Sequence, residues 1–318
     1  MRTLAEFPFT KVADLIADGK VVPFIGAAAS RVGASGVPVL PDARGLAAEL
    51  IGEMGGGFSG AAGDDLAKVA QLYEHSVFGR PLLYDYIQRR FQKEQEACAP
   101  ARVAQLLASR PDSGYPLFVI TTNYDDYIER AFRAAGRPIC VITQNLRYPD
   151  RERGPGLIEI TLPDGAIERK DSRDFEWETD GRFAPQTAFL FKMHGSAHND
   201  RTASADDVII TEDDYVDFII NASVAIFPPA SLAQEYQRRP FLFLGYSLSD
   251  WNFRIFLRLL GRRNALSGAG QNRHFAIQRS PALIDEQLWD QRSVNVYDGD
   301  LASFCEHLER IWAGDPVP

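Results

Sequence analysis

Four apolar runs in this chain each stop abruptly at small or polar residues, and that pattern limits the possible folds more than any other. Phe118-Val119-Ile120 breaks off at Thr121-Thr122-Asn123-Tyr124-Asp125. Phe189-Leu190-Phe191 runs through Lys192-Met193 to His194-Gly195-Ser196, and Phe241-Leu242-Phe243-Leu244 ends at Gly245-Tyr246-Ser247. The earliest, Val21-Val22-Pro23-Phe24-Ile25, opens into Gly26-Ala27-Ala28-Ala29-Ser30. Short runs of this kind, rich in β-branched and aromatic residues, read as buried strands. In open α/β sheets ligands bind beyond the carboxyl ends of such strands, so the four ends describe one composite site, with Asn123 and Asp125 looking into a cleft.

Helical spacing fills the intervals. Val12, Leu15 and Ile16 indicate a short helix within residues 1–20, before the first strand. From Leu46 to Leu107 the pattern is helical, broken at Gly55-Gly56-Gly57, with Leu66, Val69, Leu72 and Tyr73, then Leu82, Leu83, Tyr86, Ile87 and Phe91, on apolar faces. This stretch reads as a helical insertion, about 46–110, between the first two strands of the sheet. After Asp125 come a helix (Tyr127 to Ala135), a strand (Pro138 to Thr143), a short strand (Leu157 to Ile160) in exposed hairpin and loop, and a helix beginning at Thr211-Glu212-Asp213-Asp214. A further helix is predicted from Asp250, and His274 to Ile277 and Val294 to Tyr297 are the last strands, each followed by a helix. Repeated strand–helix alternation predicts an α/β fold: a Rossmann-like parallel sheet covered by helices on both faces, in a single domain over 1–318.

The 318 residues are 45% apolar and 24% charged, which suits a globular chain large enough for a full α/β core. A formal charge of -9 and a pI near 5.2 oppose direct nucleic-acid binding, which draws on Lys and Arg to neutralise phosphates. Cys98, Cys140 and Cys305 are few, odd in number and far apart, fitting reduced thiols and supplying no four-thiolate zinc site. No apolar run approaches the ~18 residues of a membrane span, so the expected location is cytoplasmic. The spacings of metalloproteases, P-loop nucleotide hydrolases and α/β-hydrolases are missing; Ser249 stands where the second glycine of a G-x-S-x-G elbow would be. His75 reads as a surface or packing residue, and Asn123 and His194 could individually be a turn cap and a structural histidine.

Taken in order, the Gly-Ala-x-x-Ser turn at Gly26, Thr121-Thr122-Asn123-Tyr124-Asp125, Lys192-Met193-His194-Gly195-Ser196 and Leu244-Gly245-Tyr246-Ser247-Leu248-Ser249-Asp250 resemble the sirtuin-like NAD-binding domain of bacterial antiphage defence proteins. The resemblance runs from about Val21 to Phe256. It implies cleavage of NAD⁺ to nicotinamide and ADP-ribose, with NAD⁺ as substrate and no metal. Asn123 would then orient the ribose and a water, His194 would act as base with His198 a weaker competitor, and Asp125 would help fix the carboxamide. Gly26, Ala27 and Ser30 would take the pyrophosphate, Gly245 and Ser247 the adenosine side, and Thr122 would contribute at the strand end. The segment from Gly36-Val37-Pro38 corresponds to the mobile cofactor loop, with Asp42 and Arg44 as its polar candidates; Asp42 reads equally well as a cap for a helix from about Ala43 to Met54. Ala28 replaces the second glycine of the usual Gly-Ala-Gly, and its methyl narrows the approach to the phosphates. No pair of cysteine pairs follows His194, so the zinc ribbon of protein-deacetylating sirtuins is not expected.

The resemblance further implies the NAD-depleting effector of an abortive-infection system. Because the chain ends soon after the cofactor domain, control is expected from self-assembly as a homo-oligomer or from a separately encoded partner, a HerA-type ATPase ring first and a short Argonaute second. A non-catalytic module that binds NAD or ADP-ribose is the alternative, with Ala28 in its favour. Deacylation or ADP-ribosyl transfer is a third possibility.

Overall fold

The strand predicted around Phe118 is buried along its whole length, and its residues divide by parity between two apolar clusters. Leu117 and Val119 join one, Phe118 and Ile120 the other. Successive side chains of a strand point to opposite faces, so this strand has a core on each side. The computed structural model describes residues 2–31, 40–56, 65–76, 78–97, 100–144, 156–197, 208–224, 227–246 and 274–315. Among them lie strands β1 (Arg2–Thr3), β2 (Val22–Ile25), β3 (Leu117–Thr121), β4 (Ile139–Gln144), β5 (Leu157–Thr161), β6 (Ile167–Asp171), β7 (Ala188–Lys192), β8 (Phe241–Leu244), β9 (His274–Gln278) and β10 (Val294–Asp298).

These strands form one sheet in the order β1-β10-β9-β8-β2-β3-β7-β4-β5-β6. Neighbours pair in parallel except β4 with β5 and β5 with β6, which are antiparallel. Parallel strands covered on both sides read as unbroken apolar runs, which is why β2, β3, β7 and β8 stand out in the sequence. From β3 the chain steps outward to β4, β5 and β6 and returns to insert β7. It then crosses to the other side of β2 and adds β8, β9 and β10 outward. Growth of the sheet reverses around β2 and β3, where an open α/β sheet leaves a crevice at its carboxyl edge.

The helices are α1 (Phe9–Ala17), α2 (Ala27–Ser30), α3 (Ala43–Glu53), α4 (Leu66–His75), α5 (Gly79–Ala97), α6 (Arg102–Ala108), α7 (Tyr127–Ala134), α8 (Glu212–Val224), α9 (Ala230–Arg238), α10 (Leu283–Asp290) and α11 (Leu301–Ala313). One sheet face is covered by α1, α3 to α7 and α11, through residues such as Val12, Leu50, Leu106, Phe132 and Leu308. The other receives α8, α9 and α10 through Phe218, Leu232 and Trp289, with Phe175 from the segment after β6. The chain is therefore an α/β protein with a mostly parallel, Rossmann-like sheet enclosed on both faces. Helices α2 to α6 occupy the interval between β2 and β3.

At the amino terminus the predicted helix is α1, preceded by a two-residue strand that extends the sheet beside β10. Two residues are too few to carry a periodicity, so β1 left no signal in the sequence. Cys140 and Cys305 are buried free thiols; Cys98 lies outside the described residues, as does the helix expected from Asp250. No helix among the described residues is long and apolar enough to cross a membrane.

Candidate functional site at the carboxyl edge of the sheet

The floor of the site is a contact between two glycine turns. Beyond β2, Gly26 has extended backbone, and a Cβ placed there would stand 2.5 Å from Gly245 O and 2.6 Å from Tyr246 Cα. Beyond β8, Gly245 adopts φ +66°, and a Cβ there would come within 2.2 Å of Ala29 N. The backbones touch because neither residue has a side chain. Ala28 N donates to Gly245 O at 3.0 Å, so this amide of the first turn is spent on the second. The Ala28 methyl lies on the exposed side of α2, and Ala27 is partly exposed.

Above this floor sits the turn after β3. Thr121 Oγ1 donates to Ile25 O at 3.1 Å and accepts Asn123 N at 3.0 Å, which ties the first polar residue of β3 to the end of β2. Asn123 is buried, and its Nδ2 donates to Gly26 O at 3.0 Å and to Ser30 Oγ at 2.8 Å. The two acceptors fix which end of the amide is nitrogen. Ser30 in turn donates to Asp125 Oδ2 at 2.5 Å, while Asp125 Oδ1 accepts Tyr127 N at 3.1 Å and so starts α7. Burial raises the Asp125 carboxyl above its usual range, opposed by the Ser30 hydroxyl and the Lys192 cation. The main-chain oxygen of Asp125 accepts Lys192 Nζ at 2.6 Å.

His194 follows β7. Thr121 is in register with Lys192, so Asn123 and His194 each stand two residues past a paired position on adjacent parallel strands. The His194 ring is buried and meets Tyr215 and Phe218 of α8 edge-on, at centroid separations of 5.6 and 6.1 Å. The main-chain oxygen of His194 accepts Ile209 N at 3.1 Å, and Gly195 at φ +79° turns the chain away. Ala197 N then bonds Tyr124 O, and Tyr124 Oη donates to Ile209 O at 2.7 Å. The segments after β3 and β7 and the approach to α8 are thereby laced together. Asn123 reaches toward the Gly26 turn, whereas the ring contacts of His194 are with α8.

Of the other residues singled out in the sequence, Thr122 is partly exposed and its N–H bonds Ile25 O at 3.3 Å. Asp42 caps α3 by accepting Gly45 N at 2.9 Å, and its second oxygen pairs with Arg31; Arg44 is exposed on α3. Ser247, His198 and the loop at Gly36-Val37-Pro38 lie outside the described residues. His75 is exposed on α4 and contacts Gln71 at 2.8 Å. Among the described residues no group of three or more His, Cys, Asp or Glu could hold a metal ion. The sequence gives Lys192 no role beyond its place in a motif and draws no attention to Glu129; the only signal was a cation placed in an otherwise apolar run.

Two touching glycine turns, a buried amide and a buried imidazole thus lie at the carboxyl ends of neighbouring parallel strands, the edge at which open α/β sheets hold small ligands. The SIR2-like domain family matches residues 117–297, more than half of the chain, and the chain belongs to it. The match begins at the first residue of β3, so Gly26, Ala27, Ser30 and Asp42 lie outside it. The chain is also similar to the NAD(+) hydrolase ThsA of Acinetobacter baumannii (strain 532279), with 26% identity over 233 residues. That alignment covers 73% of this chain and 38% of the relative's length.

Proposed function

We propose that the protein is an NAD⁺ glycohydrolase that releases nicotinamide and ADP-ribose. The observation that carries this reading is the state of the Asn123 amide. Its nitrogen is committed to Gly26 and Ser30, whereas Oδ1 is buried and has no hydrogen-bond partner among the described residues. An acceptor left in that condition costs about 1–3 kcal/mol, and a ribose hydroxyl or a water donating to it removes the cost. Membership of the SIR2-like family and the similarity to an NAD(+) hydrolase support the same substrate.

The chemistry asks little of a nucleophile. The bond from the anomeric carbon to the pyridinium nitrogen breaks with its electron pair going to nitrogen, so nicotinamide leaves as a neutral base. Positive charge develops on the ribose, and a water oxygen bonds to the anomeric carbon from the opposite face. That water gives up one proton, to His194 and then to solvent. Asn123 Oδ1 holds the hydroxyl or the water in line, which lowers the barrier through positioning, and an imidazole is suited to take the proton near neutral pH. Incubation of the purified protein with NAD⁺, alone and with the product of its neighbouring gene, tests this. Nicotinamide release that is lost in Asn123→Ala and His194→Ala is the expected result; no release in either condition, or undiminished release in both variants, overturns it.

The wider setting is proposed on the resemblance alone: an effector that empties a cell of NAD⁺ during phage infection, held inactive until a homo-oligomer forms or a HerA-type ATPase or short Argonaute engages it. A second reading, a non-catalytic module binding NAD or ADP-ribose, is favoured by two groups already spent within the protein. Ala28 N–H serves Gly245 O, and Ser30 both donates to Asp125 and accepts from Asn123. Calorimetry that detects nucleotide binding without turnover, with the partner present, would decide for that reading.

A further inference from the structure

Lys192 is the last residue of β7, and none of its side chain is exposed. Burying an ammonium costs several kcal/mol unless a counter-charge and hydrogen bonds offset it. Here the counter-charge is Glu129, on the first turn of α7, with Nζ 2.9 Å from Oε1 and 7% of the carboxylate side chain exposed. A second hydrogen bond of the ammonium goes not to another acid but to the main-chain oxygen of Asp125, at 2.6 Å.

Asp125 is the residue through which the turn after β3 grips the rest of the site. Its carboxylate receives Ser30, and Ser30 receives Asn123. We infer that Lys192, held in the core by Glu129, is a positioning residue that fixes the Asn123 amide by clamping the backbone of Asp125. A charged group is costly at a place where packing alone could join β7 to α7; what it adds is a strong, directed donor to one carbonyl. Without that donor the Asp125 carbonyl is held only through its neighbours, and a shift of the peptide carries the Ser30 and Asn123 bonds with it. The inference rests on reading Asn123 as the group that orients the reacting sugar, but the clamp can be measured independently of turnover.

Replacing only one partner would strand the other, so the test uses Lys192→Met together with Glu129→Met, beside each single variant. An apolar pair of similar volume commonly keeps a buried site folded. Two quantities are read: nicotinamide release, and hydrogen exchange of the Asn123 side-chain NH2, whose resonances are identified by their loss in Asn123→Ala. The expected result is a folded double variant in which that NH2 loses its protection and kcat falls by about a hundredfold, with KM for NAD⁺ changing far less. Wild-type protection in the double variant overturns the inference whatever the turnover, and so does wild-type turnover. If the wild-type protein itself releases no nicotinamide, the glycohydrolase reading fails while NH2 exchange still decides whether Lys192 sets the amide.

Discussion

Ser30 Oγ stands 2.8 Å from Asn123 Nδ2 and 2.5 Å from Asp125 Oδ2, so a single hydroxyl from the turn after β2 organises both polar residues of the turn after β3. A hydroxyl can accept one hydrogen bond while donating another, and a methyl can do neither. Ser30→Ala leaves the amide and the carboxylate each short of a partner. The expected loss is about 1–3 kcal/mol of stability, together with most of the nicotinamide release. Urea unfolding and an NAD⁺ turnover assay check the two parts, and a variant as stable and as active as wild type would refute this account of Ser30.

The contact between the glycine turns predicts unequal costs for the same substitution. Gly245→Ala places a methyl 2.2 Å from the backbone nitrogen of Ala29 at φ +66°, where no flexible side chain can yield. Gly136 has nearly the same φ, +65°, with nothing within 4 Å of a Cβ. Gly136→Ala should cost roughly 1 kcal/mol, the ordinary penalty of the left-handed region, and Gly245→Ala about 3 kcal/mol or more. Equal shifts in denaturation midpoint would show that the turns do not press on each other.

Asp214 governs where α8 begins. Its buried Oδ2 accepts Ile210 N and Thr211 N, each at 2.8 Å, and Arg80 Nη1 at 2.7 Å, while Thr211 Oγ1 accepts Asp214 N in return. Asp214→Asn removes the charge opposite a guanidinium that is only 10% exposed. Glu74 Oε2, 3.3 Å from the same guanidinium nitrogen, still faces the charge, so a loss of about 1–3 kcal/mol is expected. Tyr215 and Phe218, the ring partners of His194, lie on the same helix, so turnover should fall as well. A thermal shift within error of wild type would contradict the assigned role.

His274 gives the fold a dependence on acid. Its Nδ1 accepts Phe241 N at 2.9 Å, its ring stacks on Phe241, and burial pushes its pKa from 6.5 down to about 4. Between those values the unfolded chain binds a proton that the folded chain refuses, so stability rises with pH in that window. The contribution is complete above about pH 6.5 and is lost progressively as pH falls toward 4, by up to about 3 kcal/mol. His274→Gln keeps an acceptor without the titration. Unfolding free energies of the two proteins measured across this range should diverge, and parallel curves would sink the prediction.

The parts of the fold legible in the sequence were those whose environment repeats. The strands β2, β3, β7 and β8 are enclosed on both faces, so all their positions but the terminal Thr121 and Lys192 are apolar and the runs announce themselves. The amphipathic α1, α4 and α7 show through their spacing. By contrast β1 has two residues, and β6 (Ile-Glu-Arg-Lys-Asp) is an exposed edge strand whose charges look like loop. At the site, the motifs placed Asn123 and His194 just past the ends of strands, because a residue's distance along the chain from a strand is written in the local sequence. The partners of those residues were not legible. Nothing local links Ser30 to Asn123 or Lys192 to Asp125, since such pairings are settled by strand order, and strand order in a doubly wound sheet does not track chain order.

The seam between Gly26 and Gly245 joins the first interior strand to one that leaves the ribosome more than two hundred residues later. Until β8 has emerged and docked, the β2 turn lacks its contact with Gly245 and Tyr246, and that side of the candidate site is missing. On the glycohydrolase reading, this order of synthesis ties assembly of the site to the arrival of β8, and a fragment released before that point lacks one of its two glycine turns.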